Sequence, residues 1–334
     1  MDTRALWQAR TVPDPVTFLG RRVSLRHRID DEREGTTDVV GRVLEAGDAH
    51  LVVERRDGSV VTVETDRVVA MRIVPDRPRR TRGARSVSAE ELTRIASRGW
   101  PATTSVALGE WELRAAGGFT GRANSVAVTG DPGVPLDEAL ARVDAFYRAH
   151  DLPPRAQVVV GSAWEARFVE AGWGPARTGR PGAIVQTLDL PAAGLEPPQY
   201  PVDVARTADA AWLDLYERVD DRSVARAVLE APPTVGFASV REDGRTVAVG
   251  RVVVTGTWTG LSAMQTRVED ERRGLARSVL RACLAWAVEH GASTAYLQTT
   301  PDNDPALALY ESSGFETHHA YRYLEPGGAR PGLR

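Results

Sequence analysis

The chain has 334 residues, 42% of them hydrophobic and 26% charged, with a net charge of −3. This is the composition of a globular protein with room for two or three domains, and it excludes a disordered chain. The mild charge does not announce a nucleic-acid or membrane protein. All 42 basic residues are arginine, and the single cysteine, Cys283, excludes a disulfide framework and a multi-cysteine metal site. Cys283 sits among apolar helical residues and reads as buried filler rather than a nucleophile. The opening "MDTRALWQARTVPDP" lacks the apolar core of a signal peptide, and no run of about 18 apolar residues could span a bilayer. A cytoplasmic protein is expected.

From Leu19 the residues read as short strands: "RRVSLRHR", "TDVVGRVLE", "AHLVVERRDGSVVTVE" and "DRVVAMRIVP". The Asp57-Gly58 pair between two β-branched runs is a strong hairpin signal. Four or five such strands within some 60 residues suggest a small all-β barrel of the Src-homology-3 type. "RRVSLRHR" could be a basic stripe for nucleic acid, but Glu45, Asp48, Glu54, Glu64 and Asp66 on the facing strands favour a structural or docking role. Residues 75–85, rich in proline and arginine without periodicity, read as a linker. "SAEELTRIASRGW" then opens a helix with Ser88 as N-cap and Glu91 three residues on, the pattern of a capping box.

Two later segments resemble each other. "GRANSVAVTG", "LDEALARVDAFYRAH", "AQVVVG" and "ARFVEAGW" run strand, helix, strand, helix, then Gly172-Trp173. "GLSAMQTRV", "GLARSVLRACLAWAVEHG", "TAYLQTT" and "ALALYESSGF" repeat that order and end on Gly314-Phe315. The chain therefore reads as a barrel over 1–80 and a doubled α/β unit, with halves at 81–195 and 196–334 and "LEPPQYPVD" between them.

"EDERRGLA" joins a strand expected to end at Val268 to a helix beginning near Gly274. A helix N-terminus offers unpaired N–H groups and a partial positive charge, which suits a pyrophosphate. Gly274 permits close approach, Leu275 and Ala276 begin the first turn, and Arg272, Arg273 and Arg277 add guanidinium donors. Taken alone, the stretch is equally a capped amphipathic helix, with Leu275, Val279, Cys283 and Trp286 as its core stripe. Downstream, Asn303 in "PDNDP" either contacts a ligand or orders a turn. Tyr310 on "LALYESSGF" is either a core tyrosine or a phenol placed for proton transfer.

The sequence of glycine turn, helix, strand, Asn303 and "LYESSGF" resembles the GCN5-related N-acetyltransferase (GNAT) superfamily over residues 200–323. The resemblance implies an α/β (α+β) GNAT fold with a mixed central sheet, here as a tandem pseudo-repeat. It implies that Arg272 to Arg277 hold the pyrophosphate of acetyl-CoA, that pantetheine passes Val268, that Asn303 assists, and that Tyr310 protonates the departing thiolate. Two positions depart from the pattern. Glu271 stands where Gln or Arg is usual, and the strand before the loop offers Gln265 and Thr266 instead of a glutamate base. Glu230, Asp220, Asp221, Glu112 and His318 are candidate bases that the sequence does not rank.

The first half lacks this equipment. "GDPGVPLDEA" is acidic and proline-interrupted, and Phe168 stands where Tyr310 does in the second half. One active site, in the second half, is expected, with the first half walling the acceptor pocket. In "GEWELRAAGGFTGRANSV", Gly117 and Gly118 suggest a bulge, and Arg122 and Asn124 either read an acceptor or pack the bulge. Barrel and two halves together resemble an actinobacterial group of acetyltransferases described as N-acetylglutamate-synthase-like or histone-acetyltransferase-like. The expected activity is transfer of an acetyl group from acetyl-CoA to a primary amine, either small, such as glutamate, or a protein lysine. A non-catalytic acyl-CoA sensor or a nucleic-acid-associated adaptor working through the barrel is the alternative. No metal is implied, because the histidines show no ligand spacing beyond His318-His319. The oligomeric state is left open.

Overall fold

The computed structural model describes residues 18–29, 35–47, 49–55, 59–73, 83–177, 179–191, 195–216 and 221–327. Asp57-Gly58, Asp48, Asp220 and most of the 75–85 linker lie outside them. The chain divides into two compact units, Met1–Arg80 and Thr81–Arg334.

The first unit is all-β. Strands β1 (Arg22–Ile29), β2 (Gly35–Ala46), β3 (His50–Arg55), β4 (Val60–Glu64) and β5 (Val68–Ile73) form one antiparallel sheet in the order β4-β3-β2-β1-β5. A 3-10 turn, Thr65–Arg67, leads from β4 to β5. Period-two alternation explains the packing: Val23 and Leu25 of β1, Val39, Gly41 and Val43 of β2, and Leu51 and Val53 of β3 are buried, with the less buried Ser24, Val40, Arg42 and Val52 between them. The basic stripe of β1 is partly neutralised across the ladder, where Arg26 forms a bidentate pair with Asp38 at 2.7 and 2.8 Å.

The second unit is built on a single mixed sheet. Helix α1 (Ala89–Gly99) starts as its capping residues predict, with Ser88 Oγ accepting the N–H of Glu91 at 3.1 Å. Then come β6 (Thr104–Leu108), β7 (Trp111–Ala115), β8 (Val126–Ala127), α2 (Leu136–Ala149), β9 (Ala156–Val159), α3 (Ala163–Glu170), β10 (Trp173–Pro175) and β11 (Gly182–Asp189). The rest of the chain adds β12 (Asp203–Ala205), α4 (Ala210–Tyr216), α5 (Arg222–Leu229), β13 (Val235–Glu242), β14 (Arg245–Thr255), β15 (Trp258–Thr266), α6 (Leu275–Glu289), β16 (Thr294–Thr299), α7 (Asp304–Glu311) and β17 (Glu316–Pro326). The strand order is β12-β13-β14-β15-β16-β11-β17-β9-β8-β7-β6, with β10 on β17.

The internal duplication is visible in the ladders. β8 pairs parallel with β9 across α2, and β15 pairs parallel with β16 across α6, while the other ladders are antiparallel. Parallel neighbours need such a helical crossover. α3 and α7 each run eight residues and end on a left-handed glycine, Gly172 at φ 87° and Gly314 at φ 89°, followed by the buried aromatics Trp173 and Phe315. The halves also exchange strands. β11 lies between β16 and β17, and β17 reaches back to pair with β9 and β10.

Candidate active site

Where β15 and β16 part company a cleft opens. Their parallel ladder runs through four pairs, from Trp258↔Thr294 to Leu261↔Leu297, and stops. β16 continues against β11 to Thr299, whereas β15 bends away at a bulge: its register against β14 shifts between Val249 and Arg251, and Ala263 takes φ 53°. An alanine in that left-handed region is strained, and the β14 ladder holds it from either side, at Ser262 and at Gln265. The resulting cleft, of about 610 Å³, is floored by Ser262, Ala263 and Met264 and by Gln298, Thr299 and Thr300. β11 contributes Gly182 and Ala183, β17 contributes Tyr321 and Tyr323, and the first half contributes the loop from Gly117 to Arg122.

At the N-terminus of α6 the backbone is poised for an anion. Gly274 is the N-cap at φ 88° and Arg272 precedes it at φ 60°. Ser278 N–H is the first in the helix to find an acceptor, the Gly274 carbonyl at 3.0 Å. The six consecutive N–H groups from Arg272 to Arg277 have none among the described residues. In the sister half the equivalent loop is filled by its own acids. Gly130 N–H donates to Glu90, Asp131 N–H to Glu110 at 2.9 Å, and Gly133 N–H to the Asp131 carboxylate at 2.8 Å. α2 likewise leaves its first-turn N–H groups open, Ala139 N–H being its first to find an acceptor, but the loop leading into it already gives three N–H groups to carboxylates, whose charge opposes a phosphate there.

Several expected roles are corrected by this geometry. β15 ends at Thr266, so Val268 is not on the strand; it opens a 3-10 turn, Val268–Asp270, and is 78% exposed. The turn forms because Asp270 folds under to pair with Arg245 at 2.9 Å and Arg273 at 2.6 Å. Arg273 also grips Glu242 at 2.7 and 2.9 Å, so its guanidinium is committed to carboxylates and not presented to a ligand. Arg277 donates to Ser312 Oγ at 3.0 Å, while Arg272 and Glu271 are exposed and form no ion pair among the described residues. Leu275 is buried, so only its backbone faces the loop.

Of the two readings of Asn124, the geometry agrees with packing of the bulge. The residue is buried, its Oδ1 accepts Ala116 N–H at 2.8 Å and Gly118 N–H at 3.0 Å, and its Nδ2 donates to the Phe119 and Thr120 carbonyls, each at 2.9 Å. With every polar valence used inside its own loop, it has none for an acceptor; it staples the loop instead. Asn303 combines both readings: its Oδ1 caps α7 by accepting Ala306 N–H at 3.3 Å, and the residue lines the cleft. Tyr310, on α7, also lines the cleft. Its hydroxyl makes no hydrogen bond among the described residues, and burial, aided by Cys283, pushes its pKa up to about 12. Phe168, at the matching place, is closed into a core with Trp111 and Trp173.

Of the candidate bases among the described residues, only Asp221 reaches the cleft wall. It caps α5, and the Ser223 hydroxyl, with the N–H groups of Ser223 and Val224, holds its carboxyl below the ordinary value. Glu230 is paired with Arg226 at 2.8 Å, Glu112 accepts from Ser105 Oγ, and His318 bridges His319 and the Val87 carbonyl. Asp220 lies outside the described residues. Arg251 and Trp100, which the sequence reading passed over, stand behind the cleft: Arg251 donates to Ser262 Oγ at 3.4 Å, and its guanidinium lies 4.9 Å from the Trp100 ring. The available signal was an arginine inside the apolar run "AVGRVVV". Among the described residues no cluster of three or more His, Cys, Asp or Glu could hold a metal, and no helix is long and apolar enough to cross a membrane.

A mixed sheet that splays between two parallel strands beside a vacant helix N-terminus, present once in working form and once with an acid-filled loop, is the GNAT fold in tandem. Comparison with known proteins narrows this. Residues 88–324 match the family model "Probable histone acetyltransferase Rv0428c C-terminal" and residues 17–72 match "Rv0428c N-terminal Sm-like domain", and the chain belongs to this family of acetyltransferases. It is 31% identical over 328 residues to the Mycobacterium tuberculosis protein "Probable histone acetyltransferase Rv0428c", covering 92% of this chain and 95% of the relative. In fold it is similar to a GCN5-related N-acetyltransferase from Kribbella flavida, with a TM-score of 0.54 at 21% identity, covering 73% of this chain and 97% of that one. It is also similar to a tandem GNAT protein from the clavulanic acid biosynthesis pathway, with a TM-score of 0.52 at 14% identity, covering 74% and 91%. The chain is an N-acetyltransferase, and its fold implies acetyl-CoA as the acyl donor.

Proposed function

We propose that the protein transfers the acetyl group of acetyl-CoA directly to a primary amine, in a single active site carried by residues 196–334. Residues 81–195 serve as a degenerate half that walls the acceptor side, and residues 1–80 as an accessory barrel. The observation that carries this reading is the run of six unpartnered N–H groups from Arg272 to Arg277, against the acid-filled loop of the sister half.

Those N–H groups, with Arg272 beside them, hold the donor's pyrophosphate. The backbone of residues 262–266, released from β16, offers unpaired groups along which the pantetheine amides lie. The donor supplies an activated thioester carbonyl. Tyr310 is the general acid: its phenol is protonated at neutral pH, lines the cleft and has no hydrogen-bond partner among the described residues, so that it can meet a thiolate leaving group. Asn303 caps α7 and so fixes where Tyr310 stands. Asp221, its pKa held low, is a weak proton acceptor, and the amine proton passes to water.

Both small amines such as glutamate and protein lysines are candidate acceptors, the latter because the mycobacterial relative is named for histone acetylation. Release of CoA thiol over a panel of amines and a lysine peptide, with acetyl-CoA binding followed by calorimetry, tests the reading. Tight acetyl-CoA binding with no thiol release from any member would leave a cofactor-binding protein and not an enzyme.

A further inference from the structure

Three guanidinium groups gather at and behind the Arg122 end of the cleft, none of them paired with a carboxylate among the described residues; Asp221, on the same cleft wall, is engaged in capping α5. Arg122 lines the cleft; its Cζ stands 4.2 Å from the Trp100 ring centroid, and its protein hydrogen bond, Nη1 to Gln298 Oε1, is a long 3.4 Å. Arg251, 1% exposed, donates Nε to the Leu229 carbonyl at 2.8 Å and Nη1 to the Gly99 carbonyl at 3.1 Å, while its Nη2 is buried without an acceptor. Arg114, 2% exposed, is held by Ser97, Ser125 and Gln157, all neutral. None of the three forms an ion pair among the described residues.

A buried cation is ordinarily paired, because its desolvation is costly and its field is strong in a low dielectric. This chain does pair a guanidinium of the same cleft where the role is structural: Arg155 is locked to Glu325 at 2.6 Å. Behind Arg122 the opposite choice is made, and burial, reinforced by the charge of Arg122, pulls Arg251 down to about 9. The Arg122 end of the cleft therefore carries a standing positive potential.

Arg122 is also presented rigidly. Asn124 closes the 116–124 loop with four hydrogen bonds, and Trp100 Nε1 donates to Thr120 Oγ1 at 2.9 Å. Gly121 lies so close to Tyr323 that a Cβ there would stand 3.0 Å from its ring. A fork held in one orientation with unfilled donors suits a planar, bidentate anion. The donor's pyrophosphate has its own vacant N–H groups at residues 272–277, which are not part of this cleft wall.

We infer that the acceptor amine carries a carboxylate, which Arg122 binds against Trp100, so that the substrate class is amino acids or other amino-carboxylates and not protein lysine side chains. The inference rests on the acetyl-transfer reading and names its acceptor. Arg122 is the specificity residue, and Arg251 and Asn124 are positioning residues that set its field and orientation. A lysine side chain brings a positive charge to this end of the cleft and no anion to answer it.

The test has two arms on the full-length protein. In the first, binding of the proteinogenic L-amino acids and of their α-amides is followed by tryptophan fluorescence and calorimetry, without turnover. In the second, thiol release from acetyl-CoA is measured with the same compounds and with a lysine-bearing histone-tail peptide. The expected result is at least one free acid bound and acetylated tenfold or more better than its amide, with the peptide slower. Arg122→Met should raise KM for that acid tenfold or more and leave KM for acetyl-CoA unchanged, and Arg122→Lys should recover part of the loss. Free-acid binding that depends on Arg122 supports the carboxylate site even where thiol release fails, a failure that falls on the acetyl-transfer reading alone. Equal use of acid and amide, preference for the peptide, no free acid bound at millimolar concentration, or a matching rise in KM for acetyl-CoA in both Arg122 variants overturns the inference.

Discussion

The guanidinium of Arg273 closes on the Asp270 carboxylate at 2.6 Å and on Glu242 at 2.7 Å, drawing the most conspicuous basic residue of the loop away from any ligand. The phosphate site is then made mainly of backbone, and its sensitive residue is the glycine that lets the backbone turn.

Gly274→Ala should weaken acetyl-CoA binding roughly tenfold, since an L side chain in the left-handed region costs about 1–2 kcal/mol. The added Cβ would also lie 3.2 Å from Gln199 Oε1. Calorimetric titration with acetyl-CoA measures this, and an unchanged Kd removes the loop from the site. Arg273→Ala, by contrast, should act through stability with little effect on Kd.

Glu271→Gln should tighten acetyl-CoA binding about two- to fivefold, because the exposed Glu271 carboxylate is unpaired beside the vacant N–H groups. Surface electrostatics of this size is screened by salt, so the gain should shrink between low and 0.5 M ionic strength. A gain that salt does not move would point to a conformational cause.

Tyr310→Phe should lower turnover by about 10²- to 10⁴-fold, the usual contribution of a general acid, with the Kd for acetyl-CoA nearly unchanged. The phenyl ring keeps the contact with Phe315 and the α7 core. Full activity in this variant would move the proton donor elsewhere.

Asn124→Ala should cost about 2–4 kcal/mol, since four hydrogen bonds inside a buried loop lose their partner at once. Urea denaturation reads the loss. Turnover should fall through KM for the acceptor, because the loop that carries Arg122 is freed.

Alkaline pH should destabilise the fold. Burial raises Cys283 from 9.0 to about 12, and Tyr296 and Tyr310 from 10.0 to about 12. The unfolded chain loses these protons first, so at these groups the native state binds more protons between pH 9 and 12 and their contribution to stability falls as pH rises through that window. Each group contributes a slope of at most about 1.4 kcal/mol per pH unit. Arg251, drawn down to about 9 by burial, titrates with the opposite sign and offsets Cys283 between pH 9 and 10. Urea midpoints should therefore hold to about pH 10 and then decline as the tyrosines dominate, and Cys283→Ala should leave a slight rise between pH 9 and 10.

Local chemistry determined much of this protein directly from its sequence. Period-two runs specified the small all-β unit, Ser88 and Glu91 marked the start of α1, and Gly172 and Gly314 marked the ends of paired helices, because each signal acts within a turn or two of chain. The contrast of "EDERRGLA" with "GDPGVPLDEA", and of Tyr310 with Phe168, was likewise legible, since those residues carry their chemistry wherever the fold puts them. Tertiary structure alone decided the rest. The exchange of β11 and β17 between halves, the ion pairs that withdraw Arg273, the inward turn of Asn124 and the meeting of Arg122 and Arg251 on Trp100 join residues far apart in the chain. No local pattern encodes such pairings; they follow from which strands become neighbours and from which buried charges find, or lack, a partner when the sheet closes.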